Sequence, residues 1–307
     1  MKLSSWQKIR TDKWGIAALI VVLIYIFTAI GVEIYSIYCK KNNILPSYNR
    51  SAAESYSPPS EKHWLGTDYQ GRDVLLRTAA GSASALKTGL AAGLIAVAIG
   101  VTLGMVSGYF GGKTDETIVW LFSTFAAMPT LLFILAFALL MSQEFLSPEA
   151  LEVLKKISGV INTEPAMFGV YLAIGLTGWV TLCKVIRGET MKLKNLGYIS
   201  AAKVAGVRSF TIIFRHIFPN IFHLVIIYFT TLFASAIMLE VIVSYLGLGA
   251  QTVPSWGVMI SDGQNRLWAG VWWEITAASG ALLILVLALN ILGDSLRDAL
   301  DPRSQRA

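Results

Sequence analysis

Six apolar stretches, each near the length of a bilayer crossing, constrain this chain more than any other feature. A helix needs roughly 20 mostly apolar residues to span a hydrocarbon core. Trp14–Tyr38 is apolar apart from Glu33, and Leu90–Phe110 and Ile118–Met141 carry no charge. Ala166–Cys183 is uncharged up to Lys184, Ile221–Leu246 carries only Glu240, and Ile275–Gly293 is again free of charge. Of the 307 residues only 14% are charged, where soluble domains carry about a quarter. Lipid admits only helices and closed barrels, because every backbone polar group must be satisfied internally. Barrel strands are short and alternating, whereas these runs are long and continuous. The expectation is an all-α membrane protein with six transmembrane helices, at about 14–38, 86–110, 118–141, 166–187, 221–246 and 271–293.

The first run is too long for a signal-peptide core, and no small-residue cleavage site follows it, so it reads as a retained anchor. Residues 1–64 then form an anchor helix and a polar, turn-rich external loop, and residues 65–307 form a core of five spans with a basic loop at 188–220. Lys and Arg placement orients the whole. Lys2, Lys8, Arg10 and Lys13 precede the first span. Lys184, Arg187, Lys192, Lys194, Lys203, Arg208 and Arg215 lie between the fourth and fifth, against Glu189 alone, and Arg297, Arg303 and Arg306 follow the last. With six spans these segments share one side, which puts both termini in the cytoplasm. The loop after the third span mixes Lys155 and Lys156 with Glu144, Glu149, Glu152 and Glu164, as an external loop can.

The net charge of +6 therefore reflects topology. No nucleic-acid motif accompanies it, and nucleic acid is not an expected partner; membrane lipid is. Cys39 and Cys183 fall at opposite membrane faces and cannot pair within one chain. His63, His216 and His223 make no metal-ligand spacing, so no metal site is expected.

Several local features invite a functional reading and a plainer one. Leu65–Arg77 (LGTDYQGRDVLLR) suggests a short amphipathic helix, with Asp68/Arg72 and Asp73/Arg77 at ion-pairing spacing; a solvated helix entrance explains the same pattern. Gly89 and Gly93, then Gly100, Gly104, Gly108 and Gly112, recur at intervals of four. Such a stripe lets another helix backbone approach closely, and Gly100, Gly104 and Gly108 are the expected packing residues. Pro129 should kink the third span or free a carbonyl. Glu240, an acid within a span, is expected to face protein or water, first as a structural partner and second in a pathway. Gly112-Lys113-Thr114 ends like a phosphate loop, but Ser107 stands where that loop needs glycine and a membrane span precedes it. Ala277-Ala278-Ser279-Gly280 faintly resembles an intramembrane protease motif, but its first glycine is absent, and His223, at the far end of the fifth span, is not placed to activate the serine. Neither enzyme reading survives, and no catalytic residue is expected.

The basic loop carries the most information. It reads Tyr198-Ile199-Ser200-Ala201-Ala202-Lys203-Val204-Ala205-Gly206, continues through Val207–His216, and closes with Ile217-Phe218-Pro219-Asn220. Ala201, Ala202 and Ala205 leave one helical face nearly bare, and Gly206 suits a helix C-terminus. This describes equally a knob that enters a groove on another protein and an interfacial amphipathic helix.

The segment resembles the cytoplasmic motif of permease subunits of bacterial binding-protein-dependent ABC importers: Glu-Ala-Ala, three residues, Gly, then a hydrophobic-Pro close. Within that group it is most similar to the C-type subunit of dipeptide and oligopeptide permeases. LGTDYQGRD at Leu65–Asp73, GYFGGKTDE at Gly108–Glu116, YLGLGAQTVPSWGVMI at Tyr245–Ile260 and NILGDSLRDALDPR at Asn290–Arg303 extend the resemblance along the chain. It implies the ABC importer type I permease fold in a bacterial inner membrane, one of two different permeases lining a path. It also implies two ATPase subunits that bind ATP and Mg²⁺ and hydrolyse the nucleotide, and an extracytoplasmic substrate-binding protein. The chain itself would bind no cofactor. Ser200, Ala201, Ala202, Gly206 and Pro219 would couple to an ATPase, and Pro254, Trp256 and Gly257 would belong to an external gate or docking loop. Interfacial anchoring is the plainer reading of Trp256. Ser200 stands where the family usually has glutamate; serine can cap a helix but cannot form an ion pair. Peptide is the leading substrate, with glutathione, nickel chelates and other small solutes served by similar permeases; a membrane scaffold or sensor using the same fold is the alternative of another class.

Overall fold

The computed structural model describes residues 12–141, 145–249 and 253–300. Lys2, Lys8, Arg10, Glu144, Arg303 and Arg306 lie outside the described residues. The described part is helical, with only two isolated β-bridges, Ser51 to Arg72 and Thr67 to Asp73. In chain order the helices are α1 Lys13–Lys41, α2 Val74–Phe110, α3 Gly112–Ala127, α4 Thr130–Leu140, α5 Pro148–Val160 and α6 Pro165–Leu193. Then follow α7 Gly197–Val204, α8 Ser209–Ile212, a π-helical turn Ile213–Ile217, α9 Phe218–Tyr245, α10 Trp256–Gln264 and α11 Trp273–Leu300. Five are long and apolar enough to cross a membrane, and α3 with α4 makes up to a sixth. That pair bends by 91° at its break, which falls at Met128 and Pro129 because proline has no N–H to continue the ladder.

Helices α2 and α6 form the spine of the bundle, sharing its most extensive contact. They run parallel in register: a methyl placed on Gly100, Gly104 or Gly108 would lie 2.9, 2.8 or 2.7 Å from the carbonyl oxygens of Trp179, Cys183 and Arg187. Both sets repeat every four residues, so one face of α2 lies flush on the α6 backbone. Further up α2, Gly89 and Gly93 receive the rings of Phe233 and Phe229 from α9. Helices α1 and α11 pack together on the other flank. There α1 turns many apolar side chains outward, among them Ile24, Phe27 and Ile34, as a lipid-facing helix does. Cys39 and Cys183 are both buried and unpaired.

Leu65–Arg77 is not a short helix. The chain reverses there, with Gly66 and Gly71 at φ +67° and +72°, a conformation that favours glycine. Asp68 Oδ1 accepts from the backbone N–H of Gln70 (2.8 Å) and Arg72 (2.9 Å), and this turn displaces the helical pattern. Helix α2 starts only at Val74, capped by Asp73 through Leu76 N–H at 3.0 Å.

Candidate functional site

Two regions gather the residues singled out above, a plug at one end of the bundle and a short-helix knob at the other, and a groove lies between them.

At the plug, Asp68 is fully buried between two guanidinium groups. Arg72 Nε donates to its Oδ2 at 2.6 Å, and Arg77 Nε lies 3.4 Å away, too poorly aligned for a hydrogen bond. His63 Nδ1 meets Asp73 Oδ2 at 2.8 Å. Glu274, 1% exposed, sits within electrostatic reach of Asp68, Asp262 and Arg77, its carboxylate oxygens without a hydrogen-bond partner. Burial pushes the Asp262 carboxyl above its ordinary pKa, and Arg77 and Arg72 oppose that shift.

Two indoles close this plug. Trp273 Nε1 donates to Thr67 O at 3.0 Å, and Trp256 Nε1 donates to Thr78 O at 2.9 Å. Trp256 is 1% exposed, so it is neither an exposed lip nor a lipid-interface anchor. Its ring lies on Gly81, where a methyl would come within 2.6 Å of the indole. Gly257 is pressed closer still to Val241 O of α9. Glu240 finds its partners in the same place, accepting from Ser244 Oγ at 2.7 Å and Ser255 Oγ at 2.8 Å. Pro254 borders a cavity of about 230 Å³ beside α1 and α2. Residues 250–252 of the Tyr245–Ile260 stretch lie outside the described residues.

At the other end, α3 is tied to the spine. Arg187 grips Asp115 with two hydrogen bonds of 2.6 Å, Ser107 Oγ donates to the same carboxylate, and Lys194 Nζ donates to Gly108 O at 2.7 Å. Beyond this clasp α7 projects. Its first turn forms because Ile199 is buried among Met105, Tyr109, Ile212, Ile213 and Ile217. Ser200 is therefore inside the helix, with Leu196 at the N-cap position and Ser200 N–H bonding to Leu196 O; serine does not cap here. The C-terminus is a two-bond terminating motif: Gly206 (φ +77°) donates to Lys203 O at 3.0 Å and Val207 to Ala202 O at 3.1 Å.

The tip of this knob is apolar and open. Val204 is 91% exposed, and Ala201 and Ala205 are also exposed. Phe210 and Phe214 follow at 66% and 60%. Pro219 lies in the first turn of α9, directly after the π turn, in which Phe218 N–H reaches back to Ile213 O. The wider turn fits a proline that cannot accept the usual helical register.

Between the ends, α2, α4, α6 and α9 leave a groove of about 210 Å³ lined by small residues and hydroxyls, including Gly93, Thr130, Thr177, Thr181 and Ser235. It continues through Thr130, Thr177 and Thr181 into a second space of about 240 Å³ under the α3–α4 break, reaching Lys184. Lys184 Nζ lies 5.2 Å from the Phe122 ring centre. Sequence reasoning missed this groove, which four separated helices assemble, and missed the Asp115–Arg187 clasp, whose members stand 72 residues apart.

The comparisons with known proteins agree with one another. Residues 100–306 match the family of binding-protein-dependent transport system inner membrane components. The chain is 32% identical to the dipeptide transport system permease protein DppC of Bacillus subtilis, over 98% of this chain and 86% of the relative. It is 30% identical to the oligopeptide transport system permease protein OppC of the same organism, over 99% and 92%. To OppC of Escherichia coli K12 it is 36% identical, over 83% of this chain and 77% of the relative.

Proposed function

Because the chain belongs to the binding-protein-dependent transport system inner membrane components, as an ABC transporter permease, we propose that it supplies half of an import path for peptides. The knob at α7–α8 is the observation that carries this reading. An 8-residue helix with Val204 almost wholly exposed leaves apolar surface that water does not favour. A groove on an ATPase subunit would cover it. With both termini in the cytoplasm of a bacterial inner membrane, the plug faces outward and the knob faces the ATPases, which bind ATP and Mg²⁺ and do the hydrolysis.

Ala201, Ala202 and Gly206 give the knob a shape that fits a cleft, while Ser200 offers a hydroxyl and no ion pair. Pro219 fixes the step from knob to span, so closure of the ATPases pulls on α9 through the Ile199 anchor. The hydroxyl groove from Ser235 to Lys184 is this chain's wall of the path, completed by a second permease. Hydroxyls suit a ligand rich in peptide groups, which carries its own donors and acceptors. A binding protein delivers the peptide to the outer end; there Pro254, Trp256 and Gly257 hold the loop in position from inside.

The two relatives named for dipeptide and oligopeptide transport favour peptide as cargo. Reconstitution with its partner permease, the two ATPases and the binding protein tests the proposal. ATP-dependent accumulation of di- or oligopeptides in vesicles is expected, and ATP hydrolysis without uptake of any peptide would contradict it.

A further inference from the structure

The flank between α1 and α2 holds a second, unassigned site. Near the outer end of α1, a cavity of about 230 Å³ is bordered by Glu33, Lys40, Tyr48, Lys87, Asn162 and Glu164. Directly below it, and sharing Glu33, Ala83 and Lys87, an apolar crevice of about 380 Å³ runs between Ile26, Ile30, Leu86 and Leu90 and reaches Phe233. Polar above and apolar below, on the flank of a membrane span, the pair has the division of a phospholipid.

Of the charges that border the upper part, Lys40 keeps spare donors, while Glu164 Oε1 accepts from Val253 N–H at 3.0 Å. Lys87 Nζ pairs with Glu33 Oε2 at 2.5 Å and donates to Asn162 O at 3.0 Å, and Asn162 Nδ2 donates to Glu33 Oε1 at 2.8 Å. Lys40 Nζ makes one contact, with Asn162 Oδ1 at 3.3 Å, and among the described residues it has no ion pair. An ammonium carries three donors, so Lys40 retains donors for a phosphate. Lys40 and Lys87 balance Glu33 and Glu164, which suits a zwitterion better than an anion of higher charge.

The axial distance agrees as well. From Lys40 back to Ile26 is 14 residues, about 21 Å at 1.5 Å per residue. One leaflet, half of a bilayer about 40–45 Å thick with its headgroups, is about the same.

We propose that this crevice holds one zwitterionic glycerophospholipid of the outer leaflet. Its phosphate lies on Lys40, its headgroup ammonium faces Glu33 and Glu164, and one acyl chain follows Ile26, Ile30 and Leu90. The bound lipid fills the seam between the anchor helix and the core. The choice of the outer leaflet rests on the orientation proposed above; the site itself needs only membrane insertion and is independent of the cargo.

The test uses the assembled complex in its native membrane, supplied with a photoactivatable phosphatidylethanolamine, with adducts mapped by mass spectrometry. Adducts should concentrate on Ile26–Lys40 and Ala83–Leu90. Lys40→Gln and Ile30→Trp should each reduce them about tenfold, the scale of one lost contact of 1.4 kcal/mol. Lys40→Arg should retain them, and Leu283→Trp, on the outward face of α11 at a residue 67% exposed, should leave them unchanged. Labelling as strong on α11 as in the crevice, or unaffected by Lys40→Gln and Ile30→Trp, would overturn the assignment. So would a photocrosslinker at Ile30 that couples chiefly to another permease subunit, since protein would then occupy the crevice.

Discussion

The two ends of the bundle solve opposite problems. At the plug, charges and indoles are sealed inside: Asp68 between Arg72 and Arg77, Trp256 over Gly81, Trp273 on Thr67. At the knob the polar groups form a clasp at the helix ends, and apolar Val204, Phe210 and Phe214 stand in the open. The plug buries its polar groups within one chain, while the knob leaves apolar surface uncovered. Substitutions at the plug should therefore cost folding, and substitutions at the knob should cost assembly.

The largest effect is expected at Asp68. Asp68→Ala removes the carboxylate from a buried cluster and leaves Arg72 and Arg77 facing each other, a loss of about 3–5 kcal/mol. Folded protein in the membrane should fall sharply, as read by fluorescence-detected size exclusion. Next comes Gly104→Val: its side chain would meet Cys183 O at 2.8 Å, and the α6 backbone cannot yield, so a loss of about 1–3 kcal/mol is expected in thermal unfolding. Trp256→Phe keeps most of the ring and loses the bond to Thr78 O, about 1 kcal/mol; uptake per folded molecule should stay unchanged, since the indole acts through position.

Val204→Glu sharpens the contrast from the other side. Stability should change by no more than about 0.5 kcal/mol, as for an ordinary surface site, yet co-purification of the ATPase subunits should be lost. The smallest effect concerns pH. A carboxyl whose pKa is raised on folding makes the folded state bind more protons, so its contribution falls as pH rises. Asp262→Asn should therefore gain in thermal midpoint relative to the parent as pH rises above the ordinary aspartate range, and a difference that stays constant with pH would refute the assignment.

Much of this was legible in advance, for identifiable reasons. Spans declare themselves because hydrocarbon tolerates few charges, and the glycine stripe at 100, 104 and 108 because close packing of membrane helices needs small residues. The stripe's partner, α6, was not legible, since four-residue spacing is satisfied by any smooth helix. Asp68/Arg72 was ambiguous because a tight turn brings residues four apart together as a helix does. The Asp115–Arg187 clasp and the hydroxyl groove join distant segments, and nothing local marks them. Trp256 fits interface and interior equally in sequence; Gly81, 175 positions earlier, is the residue that makes room for it.

The division between a sealed plug and an uncovered knob is tested most directly at Val204. Cys39 and Cys183 are buried, so a cysteine placed at Val204 would be the accessible thiol among the described residues. In the assembled complex, Val204→Cys should cross-link to an ATPase subunit and resist a water-soluble thiol reagent. A Val204→Cys thiol that reacts freely in the full complex and links to no ATPase would contradict the account.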